Sequence, residues 1–319
     1  PGKGSIFSLY LPLKPNEGTK SFKFQYPKPL ISSGASATAP SFKDLDEVLI
    51  EDDKAQINSL DKVVLVIEDD LRFSHILREK AHESGLKVVI AISYLEIFEC
   101  IQNFKPIAIT LDVNMPESNG WNILKLLKGN NNVRHIPVHV ISAVDYKDMA
   151  YEMGAKTFQV KPLSNECLEN LFKQITTFNN RGSKKILLIN SHHNESLVKL
   201  LDSESVATSY VSSVKEALSE LKVQEFDGLI ADYLLPDIKD LLKYMKTEGA
   251  EVPLMIFSDK EIGKNDLKVL KGRNISFLKK SEDFHGKLLS EVLTRMHINA
   301  NTLDDLRMQL IENTIGSGD

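Results

Sequence analysis

The sequence predicts an α/β protein: two doubly wound (βα)5 domains in tandem, each around a five-stranded parallel sheet. Three observations predict it. Short, wholly apolar runs rich in β-branched residues recur along residues 62–298, segments with apolar residues three and four apart separate them, and the alternation occurs twice. Continuous apolar runs, unlike alternating ones, mark strands buried on both faces of a parallel sheet. Strand and helix in strict alternation then give right-handed crossovers with helices on both faces.

The elements follow in order. Residues 1–14 contain the alternating stretch Gly4-Ser-Ile-Phe-Ser-Leu-Tyr-Leu-Pro12, a half-buried strand with no partner hairpin. Residues 15–61 carry several prolines, the small-residue run Ser32-Ser-Gly-Ala-Ser-Ala-Thr-Ala-Pro40 and the acidic Glu51, Asp52 and Asp53. That composition buries too little apolar area to order itself, so a linker is expected, with a transient helix near its end.

The first domain spans 62–179. Its strands are Val63-Val-Leu-Val-Ile67, Lys87-Val-Val-Ile-Ala91, Pro106-Ile-Ala-Ile-Thr-Leu111, Pro137-Val-His-Val-Ile141 and Lys156-Thr-Phe-Gln-Val160. Leu71, Phe73, Ile76, Leu77 and Ala81 form one helical stripe, and Leu168, Leu171, Phe172 and Ile175 another. The second domain spans 183–298, with strands from Lys185, Val206, Phe226, Pro253 and Asn274 and a closing stripe of Leu288, Leu289, Val292, Leu293 and Met296. Residues 299–319 hold a further short helix before Gly316, opened by Thr302-Leu-Asp-Asp305 read as a cap.

Composition excludes several classes. Thirty-nine basic against 44 acidic residues give a net charge of −5, no footprint for nucleic-acid binding. Two distant cysteines, Cys100 and Cys167, make neither a disulfide framework nor a zinc site, and they suit a reducing, cytoplasmic compartment. No run approaches the ~18 apolar residues of a membrane helix, so no direct membrane contact is expected of this stretch. The chain opens at Pro1 without a methionine, as a piece cut from a larger protein would.

The chemistry lies at the strand ends, where ligands of open parallel sheets gather. In the first domain these are Glu68-Asp69-Asp70, Asp112, Ser142-Ala143 and Lys161-Pro162. Converging carboxylates repel one another unless a cation joins them, and a hard ion such as Mg2+ suits an oxygen-only donor set. A lysine and a seryl hydroxyl beside the same Asp are donors for an anion, which together with a metal makes an arrangement for phosphoryl transfer to that Asp. Asp112 is then the nucleophile and, with Asp69, a Mg2+ ligand; Glu68 assists through water, Lys161 offsets phosphoryl charge and Ser142 binds one oxygen. Plainer roles are expected elsewhere. Asp70 is a cap for the next helix, Trp121 packs that of its own segment, Cys100 and Cys167 are core thiols, and Pro137 forbids the helix that His135 and His139 would need to share a metal.

The first domain resembles the receiver domain of two-component response regulators. The resemblance is carried by Val-Ile-Glu68-Asp69-Asp70, Leu-Asp112-Val-Asn-Met-Pro116 with Gly120, Ile-Ser142-Ala and Phe158-Gln-Val-Lys161-Pro, all in order. It implies a flavodoxin-like fold, phosphorylation of Asp112 from a phosphohistidine, and a third metal ligand from the Asn114 backbone carbonyl. It also implies a cis bond before Pro162 and a switch in which Ser142 closes on the phosphoryl group as Phe158 turns inward. The second domain keeps Asp232, Pro236, Ser258, Phe277 and Lys280, but Asn190-Ser191 replace the acidic pair, followed by His192-His193. It therefore resembles a degenerate pseudo-receiver that is not phosphorylated, with Lys280 holding Asp232 as an ion pair.

Residues 1–14 resemble the last strands of the ATP-binding domain of sensor histidine kinases. Together the parts look like the C-terminal region of a bacterial hybrid histidine kinase, whose own histidine and ATP-contacting boxes precede Pro1. The partners so implied are a kinase dimerisation/phosphotransfer domain, in cis or in trans, and a separate histidine phosphotransfer protein. Other readings weigh less. A haloacid-dehalogenase-like phosphatase needs an acid two residues after its nucleophile, where Asn114 stands. A flavin or nucleotide carrier needs a phosphate loop after the first strand, where the acidic triplet stands. A phosphorylation-independent scaffold would show no response to Mg2+.

Overall fold

Each of the five side chains of the first strand is buried, and successive ones enter different cores. Val63, Leu65 and Ile67 face one helical layer, Val64 and Val66 the other, so no position on the strand tolerates a polar residue. The computed structural model describes residues 51–115, 119–180, 182–192, 194–247, 252–260, 262–263 and 273–315. The strand and linker read over residues 1–50, and Pro116, His193 and Gly316, lie outside them.

The first sheet comprises β1 (Val63–Ile67), β2 (Lys87–Ala91), β3 (Ala108–Asp112), β4 (Val138–Ser142) and β5 (Thr157–Val160), all parallel, in the order β2-β1-β3-β4-β5. Its helices are α1 (Leu71–Glu83), α2 (Tyr94–Phe104), α3 (Gly120–Gly129), α4 (Lys147–Glu152) and α5 (Asn165–Asn180). The second sheet comprises β6 (Lys184–Ile189), β7 (Val206–Val211), β8 (Gly228–Asp232), β9 (Leu254–Ser258) and β10 (Ile275–Lys279), in the order β10-β9-β8-β6-β7. Helices α6 (Glu195–Leu201), α7 (Val214–Val223), α8 (Ile238–Thr247), α9 (Phe284–Arg295) and α10 (Asp305–Ile315) accompany it. The two strand orders are the same run in opposite listing, with the first strand inside and the second at an edge.

Local chemistry sets the boundaries. Proline has no N–H for the ladder, so β3, β4 and β9 begin after Pro106, Pro137 and Pro253. Asp70 caps α1 by accepting from the amides of Arg72 and Phe73, and Asn119 caps α3 through Trp121 and Asn122. One device opens the second helix of both sheets. Ser93 accepts from Glu96 N while Glu96 accepts from Ile92 N; Ser213 and Glu216 repeat this, with Ser212 as donor.

Three readings are corrected. The end of the expected linker is bound: residues 52–56 lie along the free edge of β2, where Asp53 N donates to Val88 O (2.9 Å). Asp53 in turn accepts from Val88 N (2.8 Å), Arg78 (3.0 Å) and His82 (2.7 Å), and the expected helix is one 3-10 turn, Lys54–Gln56. The cap of α10 is Asp304, which accepts from Arg307 N (2.9 Å), whereas the Thr302 hydroxyl donates to Asn299 O. That helix belongs to the second core, with Ile311 buried and Arg307 donating to the carbonyls of Lys199, Leu200 and Asp202. Finally, Cys100 is a core thiol but Cys167 is half-exposed. Among the described residues no helix is long and apolar enough to cross a membrane.

Candidate functional site

The carboxyl ends of β1, β3, β4 and β5 meet at one point because these strands are parallel and adjacent. Register places Ile67 beside Leu111, Asp112 beside Ile141 and Ser142 beside Val160, so the residues just after each strand converge. Carboxylate oxygens of Glu68, Asp69 and Asp112 lie within 4.8 Å of one another, with Glu68 and Asp112 buried and Asp69 exposed. Lys161 Nζ bridges the two buried acids, 2.9 Å from Glu68 Oε2 and 2.7 Å from Asp112 Oδ2. The same ammonium sits 4.3 Å from the centre of the Phe73 ring.

Asp112 is held from below as well. Its Oδ1 accepts from Asn114 N at 2.7 Å, and the N-terminus of α3 closes on its backbone. A Cβ at Gly120 would stand 2.4 Å from Val113 Cα and 2.6 Å from Asp112 O, so only glycine lets the helix approach. Ser142 Oγ shares its proton between Val144 O (2.7 Å) and Asn114 Oδ1 (2.9 Å) and accepts from Val144 N (3.1 Å). The hydroxyl thus faces the β4–α4 loop. Phe158 is buried, the Lys161–Pro162 bond is cis, and Trp121 stacks edge-on against Tyr146 at 5.7 Å.

Charge in this pocket is unbalanced. Burial raises the carboxyl of Glu68 to about 7, Lys161 opposes the rise by hydrogen bonding, and the nearby Asp112 charge adds to it. Burial works against the Lys161 ammonium too, but its bonds to Asp112 and Glu68 prevail and its pKa is raised. Three carboxylates with one ammonium form a cradle of hard oxygen donors short of positive charge, which fits a Mg2+ ion.

Residues 64–173 match the family described as the response regulator receiver domain. The chain carries a receiver domain. Its fold is the flavodoxin-like α/β arrangement, and the matched span contains Glu68, Asp69, Asp112, Ser142, Phe158 and Lys161. Over 106 residues the receiver domain is 27% identical to the polar-differentiation response regulator DivK of Brucella anthropi, covering 32% of this chain and 86% of that protein. For DivK of Brucella ovis the identity is 28% at the same coverage. The signal receiver domain of a signal transduction histidine kinase from Syntrophus aciditrophicus is 27% identical, covering 38% of this chain and 93% of that structure, with a TM-score of 0.35. Receiver domains as a class take part in two-component signalling, bind Mg2+ at an acidic pocket and interact with histidine kinases or phosphotransfer proteins.

The second sheet brings together a different set. Lys280 Nζ lies 3.5 Å from Asp232 Oδ2 but 3.2 Å from Asp259 Oδ2, so the expected ion pair is shared. Asp259 was not legible as a partner; its only signal is its place directly after Ser258. The Ser258 hydroxyl accepts from Lys260 N (3.0 Å). Asn190 uses its side chain on His192 N and its carbonyl on the Tyr210 hydroxyl (2.7 Å). Among the described residues no cluster of three metal-ligating side chains forms there.

Proposed function

We propose that residues 62–179 accept a phosphoryl group from a phosphohistidine onto Asp112. The bridged Glu68–Lys161–Asp112 arrangement carries this reading. An Asp112 carboxylate oxygen attacks phosphorus, the P–N bond breaks, and the departing imidazole takes up a proton. Asp69, Asp112 and the Asn114 carbonyl, with Glu68 nearby, would hold a Mg2+ ion, which would supply the positive charge that phosphoryl transfer needs. Lys161 stays within reach to neutralise an added oxygen, and Ser142 turns from Val144 to donate to another. Phe158 is already buried in this structure, the inward position that the switch calls for.

Residues 183–298 are, on this reading, a pseudo-receiver: Asp232 remains, but without an acidic pair beside it there is little to stabilise phosphoryl transfer. The whole is part of a cytoplasmic phosphorelay in a bacterial hybrid histidine kinase, fed by a kinase dimerisation domain or a histidine phosphotransfer protein. Asn114 in place of a general acid disfavours turnover of free phosphate esters. Intact mass after incubation with a small phosphodonor and Mg2+ tests the reading. One phosphoryl group should be gained by the parent chain and by Asp232→Asn, and none by Asp112→Asn. Two groups would refute the pseudo-receiver, and no gain would leave only the scaffold.

A further inference from the structure

Away from the candidate site, at the end of α3 and the start of β6, the two domains share a seam that the phosphorelay reading does not use. His297, at the exit of α9, sets its ring from the second domain against the first. The ring is 8% exposed, stands edge-on to Phe178 of α5 at 5.8 Å, and brings Nδ1 to 3.5 Å from Lys128 Nζ of α3. Lys128 Nζ already donates to Arg134 O (2.9 Å) and Ile136 O (2.7 Å) in its own domain. A single hydrogen or lone pair is left for the ring.

That contact holds one proton. With one, an ammonium donates to a neutral imidazole, or an imidazole N–H donates to a neutral amine. With two, both partners are cations in van der Waals contact and shut away from water. Burial brings Lys128 down to about 7, so below that pH its ammonium is charged and a second proton has to enter on His297.

The surroundings do not offset that second charge. The charges that bear on His297 come from Lys128 on α3, Lys156 just before β5, His139 on β4 and Lys184 on β6, each a cation or able to become one. His139 is tied to Thr157 Oγ1 (2.8 Å) inside the first sheet. Lys156 and Lys184 share the Phe178 ring, 4.5 Å and 3.4 Å from its centre, so a neutral group that attracts cations is already taken. On α9 itself Glu291 is held by Arg295, whose guanidinium also donates to Asn274 Oδ1 (2.7 Å). From the α3–β4 loop Arg134 reaches Ser290 Oγ (2.9 Å), and His135 beside it faces Lys128 and Arg134. Of all these groups only Glu291 is an acid. Burial first, and then these cations, hold the His297 ring well below its usual value.

We infer that the seam is a proton-operated latch between the two domains, closed while His297 is neutral and opened in mild acid, when the ring takes up a proton that it can keep only in water. The latch does not depend on what happens at Asp112. A solvated imidazole titrates near 6.5, so opening takes up a proton below that pH and none above it. The ratio of open to closed molecules should therefore rise about tenfold by pH 5.5 and about thirtyfold by pH 5, relative to neutral pH.

Spin labels on Cys167 of α5, which is half-exposed, and on Val223→Cys at the end of α7, where the parent residue is 84% exposed, place one reporter on each domain of the full chain. The distribution of distances between them should gain a second population in that proportion as the pH falls from 7.5 to 5. His297 has φ 55°, a left-handed conformation that asparagine adopts readily. His297→Asn therefore keeps the turn but cannot titrate, and should abolish the response. Glu68 titrates nearby in pH, at about 7, but is intact in this variant, so a response that ran through Glu68 would persist. Lys128→Met serves if His297→Asn fails to fold: with the closest cation gone, His297 can be protonated in place and the response should flatten. A distribution that stays single from pH 7.5 to 5, or one that shifts as much in His297→Asn or Lys128→Met as in the parent, overturns the inference and leaves the proposed function standing.

Discussion

Replacing Gly120 by alanine puts the local geometry of the site to a stability test with its own internal control. The new Cβ would sit 2.4 Å from Val113 Cα and 2.6 Å from Asp112 O. Carbon contacts are comfortable near 3.5–4.0 Å, so roughly 1 Å of displacement is forced. Both obstructing atoms are backbone at the end of β3, so no rotamer relieves them, and α3 must retreat. Overpacking of this kind costs about 1–3 kcal/mol, and weakening the Asn119 cap adds about 1 kcal/mol. For a domain of this size the total lowers Tm by roughly 5–15 °C. Gly129, nine residues along the same helix, has nothing within 4 Å of an added Cβ. Gly129→Ala should therefore stabilise by about 0.5–1 kcal/mol, because alanine loses less backbone entropy. Thermal and urea unfolding of both variants, followed through Trp121, decide the matter. Gly120→Ala as stable as the parent, or Gly129→Ala equally damaged, would refute the close approach of α3 to Asp112.

Mg2+ affinity should rise with pH up to about 7 and level off above it, because Glu68, raised to about 7 by burial, must lose its proton to a bound cation. Titrations that are flat between about pH 6 and pH 8, or that keep the slope in Glu68→Gln, would contradict this. Lys128 is driven by burial down to about 7 from 10.5, so the folded state binds fewer protons than the unfolded one between those values. Stability should climb with pH across that window, and Lys128→Met should remove the slope in denaturation curves. Asp53→Asn should cost about 1.5–3 kcal/mol locally, read as faster proteolysis within residues 51–61. Burial opposes the Asp53 charge, but the bonds from His82, Val88 and Arg78 win and lower its pKa. Its contribution is thus fully present above pH 3.8 and lost as pH falls through the lowered value.

The sheets were legible because burial on both faces leaves no polar position, as in Val63-Val-Leu-Val-Ile67, and each strand expected within residues 62–298 forms within two residues of its apolar run. That Glu68, Asp69, Asp112 and Lys161 come together was legible because parallel strands put their ends side by side whatever the helices do. The attachment of residues 52–56 was not. It rests on side chains, Asp52 and Asp53, bonding to amides of a strand 35 residues away, and no local pattern encodes that. The Thr302 cap misled because Asp304 competes for the same turn, and its carboxylate reaches the open amide of Arg307. Arg295 and Arg134 carry no sequence signal of a buried role, since their acceptors on the other sheet, Tyr151 O and Ser290 Oγ, are invisible from sequence spacing.

The covering of β2 fixes where the protein can be shortened. The apolar pattern begins at Lys62 and the family match at residue 64, and both invite a cut there. Such a cut would strip the partners from Val88 N, Val88 O, Ile90 N and Ile90 O and leave Arg78 without Asp53. A bare row of amides and carbonyls on an outer strand recruits another molecule's strand. The shortest well-behaved piece therefore starts at residue 51, and a version starting at 62 is expected to self-associate however well its core packs.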